Sequence, residues 1–167
     1  MNGNEAIVIE IPRLRRYARA LVGDAAAADD LVQDTLERAW SKRSLWRGAG
    51  AMRAWLFGIM HNLRIDQLRR PAIFVRPHEG EMVDMPVRAT QSDRLEIRDL
   101  EAALRLLPEE QRAVLLLVAL EEMTYDEVAK TLEIPLGTVM SRLSRGREKL
   151  RAVLDGRQVT TALKVVK

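Results

Sequence analysis

Apolar residues in the first 70 positions recur with the 3.6-residue period of an α-helix, and polar residues lie between them. Gly23 and Asp24 interrupt the pattern, because a glycine commonly ends a helix and an aspartate commonly caps the next one. Glycines at positions 48 and 50 indicate a loop over residues 44–51. The pattern therefore predicts three amphipathic helices, over residues 11–22, 25–40 and 52–68.

The helical period stops at Pro71 and returns after residue 92. Residues 71–92 contain three prolines and a glycine without a helical period, which predicts an irregular linker. Further helices are predicted over residues 95–107, 108–122 and within 125–150. The sequence therefore predicts an all-α protein with two small helical domains, residues 1–70 and 93–155, joined by the linker and followed by a tail at 156–167.

Residues 125–150 have the pattern of a helix-turn-helix. Thr124 and Glu127 form a capping-box pattern before the first helix, and the turn is predicted at residues 133–135. At about 100° per residue, one side of the second helix is apolar and the other carries hydroxyls and cations. The apolar side has Val139, Leu143, Gly146 and Leu150, and the polar side has Thr138, Ser141, Arg142, Arg145 and Lys149.

This polar side suits the major groove of DNA. Arginine can contact guanine through two hydrogen bonds, while serine, threonine and lysine can contact phosphates. A solvated basic face on a packed helix pair is the alternative interpretation. The turn spacing and the polar chemistry together favour DNA reading.

Composition limits the classes of function. The 167 residues include no cysteine and two histidines, so disulfides and thiolate metal sites are excluded and no cofactor is predicted. The sequence has no phosphate-binding loop and no nucleophile paired with a base, so an enzyme is not predicted. The N-terminus does not have the order of a secretory signal, and no apolar stretch approaches about 20 residues. We therefore expect a cytoplasmic protein without membrane insertion.

Charge is unevenly distributed, although the net charge is only +3. Residues 37–70 contain eight Lys or Arg and two acids, and residues 136–151 contain five and one. Residues 24–34 contain four acids and no base. Two basic zones and one acidic zone predict a polyanion that binds at two places and a basic partner at a third.

An acidic face is predicted on the second helix, because Asp30, Gln33, Asp34 and Glu37 recur at i, i+3, i+4 and i+7. A solvated face is the usual explanation for such a pattern. A docking surface for a basic partner is the alternative, and the basic third helix nearby makes this separation of charge more suggestive.

The third helix and the loop before it contain candidate contacts for unpaired bases. Asn62 lies off the apolar stripe, where its amide could hydrogen-bond a base edge. Trp46 and Arg47, next to Gly48, supply a ring and a cation, the pair that binds unpaired bases. We expect Trp46 to make a contact, because an exposed tryptophan without a partner is a liability.

Three motifs, in this order, are similar to those of the bacterial extracytoplasmic-function (ECF) sigma factors, the smallest class of the sigma-70 family. They are DDLVQDTLERAW, WRGAGAMRAWLFGIMHNLRIDQLRR and the stretch from LPEEQRAVLLL to SRGREKLR. The resemblance spans roughly residues 11–153. It implies a promoter-recognition subunit of RNA polymerase that performs no catalysis of its own.

The resemblance also implies roles for the candidate residues. The acidic face matches the position that binds the clamp helices of the polymerase core. Trp46, Arg47, Gly48 and Asn62 match a pocket for a flipped base of the minus-ten element. Thr138, Ser141, Arg142 and Arg145 match the residues that read the minus-thirty-five element, in a domain that also rests on the flap tip.

The resemblance further implies regulation by an anti-sigma factor and a linker that threads toward the polymerase active-site channel. A plain spacer is the alternative for the linker. For the whole chain, the alternative is an ordinary helix-turn-helix regulator whose first half is a dimerisation or sensing domain.

Two positions depart from the family pattern. Met140 stands where lysine or arginine is common, and Gly146 stands where alanine is usual. Helical rotation places Gly146 on the buried side, which predicts close helix packing. It places Met140 on a flank together with Ser144, Arg147 and Arg151.

Overall fold

The computed structural model of the chain consists of helices and the turns between them. It describes residues 2–46, 48, 51–70 and 91–165, with the backbone alone at residues 91–93, 95 and 157–165. Within these residues lie α1 (Gly3–Val22), α2 (Ala25–Ser41), a 3-10 helix (Arg43–Leu45), α3 (Met52–Arg69), α4 (Gln91–Arg105), α5 (Glu109–Ala119), α6 (Tyr125–Leu132) and α7 (Leu136–Val165).

The predicted all-α fold class is confirmed by this arrangement. The division into domains at residues 1–70 and 93–155 stays a prediction. Most of the predicted linker, residues 71–90, lies outside the described residues, as does Arg47.

Helix α1 begins at Gly3, earlier than the predicted start at residue 11. Asn2 Oδ1 accepts a hydrogen bond from the Asn4 backbone N–H at 2.8 Å, and Glu5 Oε2 accepts one from the Asn2 backbone N–H at 3.4 Å. The prediction was wrong because this cap precedes the apolar period and because the helix accommodates Pro12 in its interior. The additional turns contribute Ile7, which is fully buried.

The predicted boundary between α1 and α2 is confirmed. Gly23 adopts a φ of +80°, and its N–H donates to the Arg19 carbonyl oxygen at 3.0 Å. Asp24 Oδ2 accepts a hydrogen bond from the Ala27 N–H at 2.8 Å. These caps turn α2 back onto α1, and α3 completes the packing in the first half of the chain.

Helices α4, α5 and α7 differ from their predicted bounds. Helix α4 begins inside the predicted linker. Helix α5 ends early because Glu122 adopts a φ of +55° and the Met123 N–H donates to the Leu117 carbonyl oxygen at 3.0 Å. Glycine is usual at such a left-handed position, so the sequence contained no stop signal. Helix α7 continues through most of the predicted tail, which has no proline to end it.

Helices α6 and α7 form the predicted helix-turn-helix. The Thr124 hydroxyl accepts from the Glu127 N–H at 3.2 Å, and the Glu127 carboxylate accepts from the Thr124 N–H at 2.8 Å, which completes the capping box. Glu133 ends α6 at a φ of +54°, and the Ile134 N–H donates to the Ala129 carbonyl oxygen at 3.0 Å. Val128 and Val139 are fully buried where the two helices meet.

The two halves of the described chain pack against each other. Helix α5 lies on α1, and α6 lies on α3. Buried side chains of both halves form one continuous hydrophobic cluster. Gly58 allows close approach at the α3–α6 contact, since a Cβ at this position would lie 3.2 Å from the Thr131 carbonyl oxygen. The described chain is therefore closed, an arrangement that the sequence did not predict.

Arg112 on α5 is a buried cation at the junction of the two halves. A guanidinium has five N–H donors, and each of the five has an acceptor here. Burial lowers the pKa of Arg112, while the Glu109 carboxylate acts in the opposite direction. The acceptors are the carbonyl oxygens of Leu21 (2.6 Å), Leu104 (2.8 Å), Leu107 (2.8 Å) and Arg105 (3.1 Å), and Glu109 Oε2 (3.1 Å).

None of the described helices combines the length and the apolarity that crossing a membrane requires.

Gly146 permits close packing between α5 and α7, as predicted. It is buried, and a Cβ there would meet Gln111 Cβ at 3.4 Å and Leu107 Cδ2 at 3.7 Å, both ordinary contacts. Gly146→Ala is therefore expected to stabilise the protein by about 0.5–1 kcal/mol, because alanine loses less conformational freedom in a helix. Gly146→Leu is expected to destabilise it by about 1–3 kcal/mol through overpacking.

Urea unfolding measures the free energy of unfolding of these variants. Gly137→Leu is the control for side-chain size, because a Cβ at Gly137 meets nothing within 4 Å. A Gly146→Leu protein as stable as the Gly146→Ala protein would show that α5 and α7 do not pack closely at this position.

Candidate functional site

The acidic face of α2 is exposed. Its four members, Asp30, Gln33, Asp34 and Glu37, point to solvent, whereas Leu31 on the other side of the helix is fully buried. The Gln33 amide donates to Glu37 Oε1 at 3.4 Å. This hydrogen bond lies within the face, and the carboxylates of Asp30, Asp34 and Glu37 remain accessible to a basic partner.

The candidate base-contacting residues differ in how far they are exposed. Asn62 is exposed on α3. Trp46 is half-buried and packs against the hydrophobic cluster, so its ring is less exposed than the expected contact requires. Gly48 is exposed with a φ of +72°, which favours glycine at this position. Arg47 lies outside the described residues, so the structure gives positions for three of the four candidates.

The polar side of α7 faces outward as predicted. Ser141, Arg145 and Lys149 are exposed, and Thr138 and Arg142 are half-buried. The Ser141 hydroxyl donates to the Thr138 carbonyl oxygen at 3.2 Å, and Arg142 Nη2 lies 3.6 Å from Glu110 Oε2. The face therefore presents two fully exposed cations, with a third cation held at its edge.

Met140 lies on the predicted flank and has 49% of its surface exposed. With Arg147 and Arg151 it lines a shallow groove that reaches Tyr125 at the start of α6. By helical rotation this flank points away from the side that carries Arg145. Met140 is therefore separated from the candidate DNA-reading face.

Polar contacts between the two halves were missed by the sequence analysis. Arg64 Nε donates to Glu109 Oε1 at 2.7 Å, and Arg16 Nη2 donates to Glu121 Oε1 at 3.0 Å. The partners are 45 and 105 residues apart in the chain, so no local pattern could have identified them. Gly58, a glycine inside a predicted helix, was the one local signal for a close contact.

His61 indicates that α3 and the start of α7 are close in the closed chain. Its pKa is lowered by burial and by the charge of Arg142 on α7, and raised to a smaller extent by Glu109, Glu110 and Glu133. The helix that carries Asn62, α3, packs on α6, and α6 packs on α7, the helix that carries Arg145.

These features define a class: an all-helical chain with an exposed basic helix-turn-helix and a separate, exposed acidic face on α2. Comparison with known families assigns the chain within that class. The family model described as the Sigma2 domain of PhyR matches residues 7–61, and the model for sigma-70 region 4 matches residues 97–150.

Two curated relatives and two solved structures extend the match. The ECF RNA polymerase sigma factor EcfG of Rhodopseudomonas palustris is 36% identical over 89% of this chain and 82% of its own length. SigL of Mycobacterium tuberculosis is 36% identical over 88% and 85%. The chain belongs to the ECF sigma factors, as its motifs indicated.

Two solved structures are similar to this chain over most of its length. RpoE of Bartonella quintana, solved in complex with the anti-sigma factor NepR, has a TM-score of 0.70 and 27% identity over 91% of this chain and 96% of its own. CnrH, solved with the cytosolic domain of CnrY, has a TM-score of 0.68 and 28% identity over 92% and 88%.

The pKa of His61 tests the closed arrangement. In the wild-type protein it is expected below the ordinary value of 6.5, and Arg142→Ala should raise it by removing a nearby positive charge. Because the pKa in the folded protein is lowered, the contribution of neutral His61 to stability is fully present above pH 6.5 and is lost as the pH falls through the folded value.

Imidazole NMR titration measures this pKa, and the chain has only one other histidine, His78. Arg145→Ala is a suitable control, since no effect of Arg145 on His61 is expected. An unchanged His61 pKa in the Arg142→Ala protein would contradict the proximity of α3 and α7.

Proposed function

We propose that this ECF sigma factor directs promoter-specific initiation by binding the RNA polymerase core through α2 and promoter DNA through α3 and α7. The observation that carries the assignment of roles is the outward display of two oppositely charged faces on different helices. The acidic face of α2 cannot attract a phosphate backbone, so it suits a basic protein surface, whereas the cationic face of α7 suits DNA.

In this proposal each face has one task. Asp30, Gln33, Asp34 and Glu37 bind the clamp helices of the core. Asn62, with Trp46, Arg47 and Gly48, holds a flipped base of the minus-ten element, which stabilises the melted strand. The minus-thirty-five element is read by Thr138, Ser141, Arg142, Arg145 and Lys149, in a domain that rests on the flap tip.

An anti-sigma factor is the proposed regulator, because a similar structure is a sigma factor in complex with one. The role requires no catalysis and no cofactor, since polymerase supplies the chemistry. Because the proposed role is to act together with RNA polymerase, we propose a cytoplasmic location. A stand-alone regulator is not favoured, because the matches to sigma-factor families extend over both halves of the chain.

Run-off transcription with purified core polymerase and genomic promoter fragments tests the proposal. Core polymerase with the chain should give specific transcripts that core polymerase alone does not. A stand-alone regulator would instead bind duplex operators tightly without polymerase. Intact core binding without any specific transcript would refute the proposal.

Asn62 and Asp34 are expected to affect different steps. Asn62→Ala should reduce promoter opening, measured by permanganate reactivity of unpaired thymines, and leave core binding unchanged. Asp34→Arg should weaken core binding, measured by fluorescence anisotropy, because it places a cation opposite a basic surface. Equal losses of both variants in both assays would contradict the division of roles.

Arg145 is expected to read a base in the minus-thirty-five element. Arg145→Ala should weaken binding to that element and lower the discrimination against a substituted guanine by about 1–3 kcal/mol. Arg147→Ala is a matched control, because Arg147 is an exposed arginine on the flank beside Met140. Competition binding with single-base variants of the element measures the discrimination. The same loss in both variants would indicate a general charge effect and not base reading.

A further inference from the structure

Glu121 is a carboxylate buried between the two halves of the chain. It follows α5, and none of its side chain is exposed. Arg16 of α1 donates through Nη2 to Glu121 Oε1 at 3.0 Å and to the Leu120 carbonyl oxygen at 3.2 Å. Arg53 of α3 donates to the Glu121 carbonyl oxygen at 3.1 Å. Two arginines of the first half therefore hold one short segment of the second.

Arg16, whose side chain is 53% exposed, supplies the counter-charge of the buried Glu121 side chain. Moving a carboxylate out of water is costly unless a counter-charge and hydrogen bonds replace the lost hydration. Here the replacement is incomplete, since Glu121 Oε2 has no hydrogen-bond partner among the described residues. Separation of the halves would return this carboxylate to water. The closed state thus depends on the ion pair, and the open state does not.

Two further contacts belong to the same interface. Gly58 of α3 lies against the Thr131 carbonyl of α6, where a Cβ would be only 3.2 Å from the oxygen. Arg64 of α3 is 18% exposed and donates to Glu109 of α5 at 2.7 Å. The interface therefore combines close steric contact with charge pairing. Two arginines of α3, Arg53 and Arg64, are engaged in it, on the helix that carries Asn62.

The closed state cannot engage both promoter elements. Elements near positions minus ten and minus thirty-five are about 25 base pairs apart, or about 85 Å at about 3.4 Å per base pair. A compact chain of 167 residues has a radius of gyration of about 15 Å, and α6 packs on both α3 and α7. Residues 71–90 could span up to about 70 Å if fully extended, so the covalent connection allows wide separation.

We propose that the chain inhibits itself: the Arg16–Glu121 ion pair is a latch that holds the free protein closed, without an anti-sigma factor, until its partners separate the halves. This rests on the proposed function, because the closed state is inhibitory only if α3 and α7 bind separate elements. Opening also releases Arg53 and Arg64 on α3, where they become available to the phosphates of the promoter strand.

The latch is tested by distance measurement in the free, full-length protein. The chain has no cysteine, so Ser41→Cys on α2 and Ser144→Cys on α7 give a pair of spin labels, one on each half. Electron–electron resonance should give a single short-distance population. Arg16→Met should remove most of it, because the buried Glu121 side chain loses both its counter-ion and its hydrogen-bond donor. Glu121→Gln added to Arg16→Met should restore it, because no buried charge remains.

The matched control is Arg15→Met. Arg15 is an exposed arginine on the same helix, and its ion-pair partner, Asp29 at 3.8 Å, belongs to the same half of the chain. Gly58→Leu opens the interface by a separate route, through size and without a change of charge. Circular dichroism establishes that each variant is folded. A broad long-distance population in the wild-type protein, an unaltered Arg16→Met protein, or no restoration by Glu121→Gln would each overturn the latch.

Inhibition is tested with two DNA probes. A forked promoter fragment carrying both elements should bind the Arg16→Met and Gly58→Leu proteins about tenfold more tightly than wild type, because the open state no longer has to be populated first. A duplex with the minus-thirty-five element alone should bind all three equally, since Arg145 is exposed in the closed state. If a variant is open by distance measurement but binds the forked probe no more tightly than wild type, self-inhibition is overturned. Run-off transcription by the wild-type protein tests the proposed function separately.

Discussion

The structure depends on how Arg112 joins the ends of helices from both halves. Its guanidinium donates to carbonyl oxygens in the last turns of α1 (Leu21) and α4 (Leu104 and Arg105). A cation at a helix C-terminus also interacts favourably with the helix dipole. Because one residue of α5 completes both termini, the first half is fixed to the second at the point where α1 ends.

The junction also determines which surfaces remain free. With α1 and α3 turned toward α5 and α6, the acidic face of α2 and the polar side of α7 are left at the surface. Under the proposed function, the chain in this state can meet polymerase through α2 but cannot place α3 and α7 on separate promoter elements. Of the Arg16–Glu121 pair only the carboxylate is buried, and a buried charge is sensitive to the loss of its partner, which suits a contact that has to open.

The sequence predicted what is local and missed what is distant. The helix starts at Asp24 and at Thr124 with Glu127 were predictable, because a cap acts within one or two turns of the residue. The buried position of Gly146 was predictable from helical rotation for the same reason. The end of α5 was missed because Glu122 takes a left-handed conformation that glycine usually takes. Arg16 and Glu121 were missed because their pairing depends on the assembly of the halves. Of the site, the exposed positions of α2 and α7 were predictable, whereas the half-burial of Trp46 was not.

One measurement addresses the central claim, that a closed chain must open to work. The distance between labels at residues 41 and 144 would be compared in the free protein and in a transcriptionally active complex with core polymerase and promoter DNA. The account predicts a short distance in the free protein and a single, much longer distance in the complex. The same short distance in an active complex would contradict it.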